Sequence, residues 1–262
     1  MSNFHTKEWM LSQLQGHWDD AKQRLPENAI IGVFYYGSGN YGLDYEGSDV
    51  DSKCIFIAPP TIKRLPLAVR EDGTTIAFTN IHEYIKMLIS GNSIAMDILF
   101  AEASIINPIY APLWNQILEE REIIPTKCGA GIYKGLLNSY KHSSSGACAA
   151  TGHPKWIHLG HHPKALSHAC RIAERIVRIH NGESWKETMV PSHPEFHVRL
   201  KREGCPLDEA RQLFAVAQSS VDEVMASADM TVKPDFKYFS KFKEVADKIG
   251  EIHSSLEGDT TQ

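Results

Sequence analysis

Nowhere in this chain do apolar residues run for the roughly 20 positions that a membrane-spanning helix needs. The opening MSNFHTKEWM also lacks the basic-then-apolar order of a secretory signal. No membrane association is expected, and a cytoplasmic location is. Cysteine is sparse: Cys54, Cys128, Cys148, Cys170 and Cys205 are odd in number and form no C-x-x-C pair, which fits reduced thiols in a reducing compartment. A strong excess of one charge is missing as well. With 27 lysines and arginines against 32 aspartates and glutamates the net charge is -5, which argues against general coating of nucleic acid and leaves a local basic cleft open.

What is present is an ordinary globular mixture, 42% hydrophobic and 23% charged over 262 residues, long enough to bury a sizeable core. Trp9, Met10, Leu14, Trp18, Ala21 and Leu25 recur at helical spacing and predict a first helix over 7–24. The β-branched and aromatic run NAIIGVFYY reads as a buried strand; DSKCIFIA, ended by Pro59 and Pro60, reads as a second strand and TTIAFT as a third. Asn80 with Glu83 three residues later has the form of a capping box opening the helix IHEYIKMLIS, which Gly91 stops. From residue 93 on, helices are expected near 94–102, 108–121, 130–144, 164–181, 194–203, 207–227 and 236–254, with Gly182 and Gly204 as stops and Pro163, Pro191 and Pro206 ahead of helical runs. The organisation expected is a first domain over 1–120, a helical domain over 121–255 and a disordered tail over 256–262.

The stretch YYGSGNYGLDYEGSDVDSKCIFI, Tyr35 to Ile57, carries the chemistry. Gly37, Ser38, Gly39 and Gly42 allow backbone N–H groups and a hydroxyl to approach a phosphate closely. Asp49 and Asp51, two apart on a strand, would share a face roughly 6 to 7 Å apart. Two such carboxylates repel unless a cation lies between them. Magnesium, with manganese as substitute, is the expected ion, since it takes one or two carboxylates together with substrate phosphates. A phosphate cradle beside a divalent ion is the equipment of nucleotidyl transfer.

That stretch resembles the signature of the DNA polymerase beta-like nucleotidyltransferase superfamily: Gly-Ser, a spacer, then Asp-x-Asp at the start of a strand. The chain is most similar there to the RNA repair pathway polymerase beta-like proteins, through SDVDSKCIFI, IHEYIKMLISGNSIAMDILFAE and KALSHACRIAERIVRIHNGE, over about residues 30–183. The resemblance implies an α+β fold, a small mixed sheet with flanking helices followed by a mostly helical half. It implies a magnesium-dependent transfer of a nucleoside monophosphate from a triphosphate such as ATP to an acceptor hydroxyl, on RNA, a protein or a small molecule. Asp49 and Asp51 would hold the metal, and Gly37 and Ser38 the nucleotide phosphates. A third acid usually joins them from a later strand. TTIAFT, the matching strand, contains none; Asp72 precedes it, and Asp97 and Glu102 fall on the helix expected next. This departure keeps open a catalytically impaired, nucleotide-binding or antitoxin-like regulator of the same fold.

Lys164, His168 and Arg171 fall on one helix face by spacings of four, three and seven, and Arg175 and Arg178 continue by similar steps. Such a cationic stripe can neutralise a triphosphate, and with the resemblance these residues are expected to bind nucleotide. The histidine-rich HPKWIHLGHHPKALSHAC matches no common zinc spacing and reads as loop and cap residues. SYKHSSSGACAATGHPKW, small and polar, suits either a closing loop or an ordinary connection. KPDFKYFSKFKEVADKI interleaves lysines and aromatics and reads as an amphipathic helix with its aromatics inward.

Overall fold

The structure, a computed structural model, describes residues 5–147 and 157–259. Thr6 caps the first helix, α1 (Lys7–Lys22), by accepting from the Trp9 N–H. There follow β1 (Ile30–Tyr36), β2 (Asp51–Phe56), β3 (Ala68–Val69), β4 (Thr75–Asn80), α2 (Ile81–Ile89), α3 (Ser93–Leu99) and β5 (Ser104–Ile106). The remainder is helical: α4 (Ala111–Leu118), α5 (Ile124–Lys127), α6 (Gly131–Ala147), α7 (Pro163–His180), α8 (Pro194–Glu203), α9 (Leu207–Ser227) and α10 (Phe236–Asp259). The fold is a mixed α+β one, and no helix among the described residues is long and apolar enough to cross a membrane.

The strands form one sheet in the order β3-β4-β2-β1-β5, with β2 and β4 parallel and the other neighbours antiparallel. β1 lies inside the sheet with both faces covered, which is why it reads as an unbroken apolar run. Its register against β2 shifts between Ile30 and Gly32. The extra residue turns Ile31 and Phe34 to the same face although they are three apart. One face packs on α1 through Met10, Leu14, Trp18, Val33, Tyr35 and Cys54. The other meets a larger core that runs from Phe34, Ile55, Tyr84 and Trp114 to Ile172 and Ile176 of α7, Val221 of α9 and Phe239 and Phe242 of α10. Of the aromatics of α10 expected to face inward, Phe239 and Phe242 are buried, whereas Phe236 at the helix start is exposed.

Several elements differ from expectation for local reasons. β2 begins at Asp51, so Asp49 lies in the turn before it rather than on the strand. β3 and β5 are short strands at the two sheet edges, and α5 is a single turn; nothing in the residue pattern marks them. α3 ends at Leu99, which puts Glu102 on the link to β5 and not on a helix. α4 starts at Ala111 because the Asn107 side chain accepts from the Ile109 N–H and makes a turn first. α6 continues to Ala147 through most of what was read as a flexible connection, and the rest of that connection, 148–156, lies outside the described residues. α10 reaches Asp259, into the segment expected as a tail.

Candidate functional site

The Gly-Ser turn leaves β1 at its exposed end and winds as a short 3-10 turn over Ser38–Tyr41. Tyr35 braces it from beneath, its hydroxyl accepting from the Gly39 N–H at 3.0 Å. A Cβ on Gly39 would stand 2.6 Å from that hydroxyl, so only glycine fits there. Asn40 ties the turn sideways, donating to the Tyr35 carbonyl and accepting from the Glu102 N–H, each at 3.0 Å. Gly37 and Ser38 are left half-buried at the rim.

Asp51 and Asp49 follow on the next pass of the chain. Asp51 stands level with Tyr36 in the β1–β2 register. Its Oδ1 accepts from both the N–H and the hydroxyl of Thr75, at 2.9 and 2.6 Å. Lys53, on the same strand face, sits over the Tyr36 ring at 4.7 Å, and burial lowers its pKa against the pull of Asp51. Asp49 is exposed, and with Asp44 it faces Lys201 of α8. Both site aspartates and Asp44 lie within electrostatic reach of the Tyr35 hydroxyl, whose pKa is pushed up to about 12, by burial first and then by these carboxylates. The alternation argument therefore does not set the direction of Asp49, whereas the shared neighbourhood of the two carboxylates at the end of the Gly-Ser turn is present.

Across from them, α7 contributes Lys164, His168 and Arg171 to one cluster with Lys201. Arg171 is 3% exposed, lies 3.8 Å over the Tyr41 ring, and its Nη2 meets the Nε2 of His168 at 3.0 Å. An arginine only donates, so that Nε2 accepts and the His168 proton is on Nδ1, where it meets the Ser143 hydroxyl at 3.2 Å. Ser143 in turn donates to the Ser139 carbonyl at 3.0 Å. His168 is solvent-accessible, yet it stands in the wall of a concave site. The surrounding protein and the cations Arg171, Lys164 and Lys201 hold its pKa well below the usual imidazole range. The cavity it lines, about 290 Å³, reaches from Tyr36 and Tyr41 across Asn92 and Ser93 to Asn138 and Ser139 of α6.

Arg175 still lines the cavity, but both it and Arg178 are taken up by carboxylates. Arg175 pairs with Asp97 at 2.9 Å in the interior, and Arg178 is held by Glu183 at 2.6 Å and by the carbonyls of Glu187 and Val190. Of the three candidate third acids, Asp97 lines the cavity but is engaged by Arg175, by the Tyr41 hydroxyl at 2.8 Å and by the Trp185 indole at 3.0 Å. Asp72 accepts from Thr74 and lies near buried His17, which belongs with the α1 face. Glu102 is exposed beside the turn. The strand position opposite Asp51, where the resemblance implies an acid, is Thr75. Among the described residues no cluster of three or more His, Cys, Asp or Glu side chains is arranged to hold a metal. The donor set is two carboxylates, which suits an ion whose remaining ligands come from phosphate oxygens and water.

Two larger cavities, about 660 and 580 Å³, lie around His197 and around Tyr133. In them Glu174 is held by Ser192, Glu183 by Arg178 and Glu187 by Ser184. The residues that sequence spacing missed are Tyr36, Tyr41, Ser143 and Lys201. Their partners are far along the chain, so no local pattern announces them. His162, from the histidine-rich stretch, serves as the N-cap of α7.

No family model matches this chain, and no curated protein matches it. A solved structure to which it is similar is a nucleotidyltransferase-like protein from Exiguobacterium sibiricum 255-15, at 12% identity over 83% of this chain and 75% of that one, with a TM-score of 0.33. Similarity at that level carries neither residues nor chemistry across.

Proposed function

We propose that the chain is a magnesium- or manganese-dependent nucleotidyltransferase that moves a nucleoside monophosphate from a nucleoside triphosphate to an acceptor hydroxyl on RNA, a protein or a small molecule. The observation that carries this is the convergence of the Gly37-Ser38 turn, Asp49 and Asp51 with the cations Lys164, Arg171 and Lys201 and the neutral His168 among them. Asp49 and Asp51 would hold the ion, which supplies charge neutralisation for the phosphates and the departing pyrophosphate. Gly37 and Ser38 present backbone and hydroxyl donors to the phosphates, and Lys164 and Arg171 meet their remaining charge. The acceptor oxygen bonds to the α-phosphorus and gives up its hydroxyl proton to water as the bond from that phosphorus to the bridging oxygen breaks, so pyrophosphate leaves with the bridging oxygen and its electron pair. In such a step the protein's share is positioning and electrostatic stabilisation.

A second reading, a nucleotide-binding protein without turnover, draws on Thr75 at the strand position opposite Asp51 and on the full engagement of Asp97. One experiment separates the two. Incubation with α-labelled triphosphates and magnesium should give labelled product that the Asp49→Asn/Asp51→Asn variant loses by about a thousandfold or more. Triphosphate binding without pyrophosphate release supports the second reading instead. Thr75→Asp then discriminates further: it should tighten manganese binding by about tenfold while lowering the stability of the metal-free protein by about 1–2 kcal/mol, through repulsion with Asp51.

A further inference from the structure

Arg171 lacks a carboxylate partner. Among the described residues it makes no ion pair, and its Nε and Nη1 are buried with no hydrogen-bond partner. Removing a guanidinium from water without a counter-charge costs several kcal/mol, so an interior arginine left in this state marks a position where an anion belongs. Its other contacts fix its direction. The Tyr41 ring covers one face at 3.8 Å and His168 takes Nη2 at 3.0 Å, which leaves Nε and Nη1 unsatisfied on a residue that lines the cavity. Elsewhere the lining offers neutral polar groups, Asn92, Ser93, Asn138, Ser139 and Ser143, and its one carboxylate, Asp97, is spent on Arg175. Arg175 differs instructively: equally buried, it has a carboxylate.

We infer that the Arg171 pocket is a receptor for a single tetrahedral oxyanion, a phosphoryl group, that works without a divalent ion and independently of Asp49 and Asp51. The anion supplies the charge the fold withholds from Arg171, and Ser139, Ser143 and Asn138 lie along the same wall as further polar groups. His168 takes part as a neutral ring. With Nε2 accepting from Arg171 it orients the guanidinium, and the chain from its Nδ1 through Ser143 to the Ser139 carbonyl ties that orientation to α6. About 290 Å³ accommodates a phosphoryl group with a modest substituent and is small for a whole nucleoside triphosphate. The site is therefore suited to one phosphate, held free or presented at the end of a nucleotide whose other parts lie outside. This inference deepens the nucleotide-binding reading of the same cations but does not need the transfer reaction.

The test is titration of the full chain with inorganic phosphate in EDTA, followed by calorimetry and by the His168 ring resonances in NMR. Phosphate should bind and shift those resonances. Arg171→Met should weaken binding by at least about tenfold, the loss expected for a charge-assisted hydrogen bond. Asp49→Asn/Asp51→Asn should bind phosphate within about twofold of the parent, whatever happens to nucleotidyl transfer, so failure of the transfer reading leaves this result standing. Should Arg171→Met not fold, the parent's own His168 shifts and Ser143→Ala, expected to weaken binding by about threefold, decide the matter. Competition with ATP in EDTA assigns the source: displacement of phosphate identifies a terminal nucleotide phosphate, and coexistence identifies free phosphate or a small phosphoester. Overturning results are unmoved His168 resonances, unchanged affinity in a folded Arg171→Met, or binding that demands a divalent ion and vanishes with the two aspartates.

Discussion

His17 is wholly buried on α1 against the strand that carries Asp51. The Thr74 hydroxyl donates to Asp72 at 2.6 Å, so at 3.3 Å from His17 Nε2 it accepts, and Nδ1 then accepts from the Ser52 hydroxyl at 2.7 Å. The ring is neutral with its proton on Nε2. Burial lowers its pKa to about 4, and Arg70 acts the same way; Asp72, Asp20 and Asp51 pull weakly upward. The folded pKa lies below the unfolded one, near 6.5, so between those values the unfolded chain binds more protons and stability rises with pH. Full stability from this group is present above about pH 6.5; it is lost as pH falls toward 4, by roughly 3 kcal/mol in all. Urea unfolding of His17→Gln at pH 7.5 and 4.5 should show a shallower loss than the parent. At this scale the sequence made the local features legible, the glycines of the turn and the two aspartates. It could not show that Thr75 lies on Asp51, nor that Arg171 is buried without a counter-charge, because both depend on residues brought together across long stretches of chain.

Helices of more than two turns were legible because each repeats its apolar positions often enough to override local exceptions. α2, for example, buries Ile81, Tyr84, Ile85, Leu88 and Ile89. Its cap at Asn80 was legible too, although the structure directs that side chain to the His82 N–H and to the carbonyls of Ala58, Pro59 and Ile62. β3 and β5, two and three residues long, were not legible, since partner strands decide such edges and propensity does not. A close approach of α6 to the turn after α2 borders the proposed phosphoryl pocket. A Cβ on Gly135 of α6 would lie 1.9 Å from the Gly91 carbonyl oxygen, in the turn after α2, where Gly91 itself has φ +71°. Backbone meets backbone here, so no side chain can yield. Gly135→Ala should destabilise the fold by about 2–4 kcal/mol in urea unfolding and weaken phosphate binding, because α6 must move away from Asn92 and Ser93.

Besides the shared apolar core, one buried polar group ties the sheet side to the helical half. Asp97 of α3 holds Arg175 of α7, the Trp185 indole and the Tyr41 hydroxyl, and Arg175 stacks 3.9 Å over Trp185. Asp97→Asn keeps the shape and leaves Arg175 charged without a counter-ion. The expected cost is about 3–5 kcal/mol of global stability, measured by chemical denaturation. It should be nearly the same at low and high salt, since the side chains of Asp97 and Arg175 are 5% and 2% exposed.

Each of the two cores also encloses a thiol, Cys54 on the α1 face and Cys128 on the opposite one, both fully buried and both pushed by burial far from the thiolate form. An alkylating reagent reacts with thiolate, so each sulfur stays silent until its own side of the sheet opens. The rates at which the two become modified are thus separate clocks for the two faces, and whether they tick together reports whether the molecule comes apart as one unit or as two.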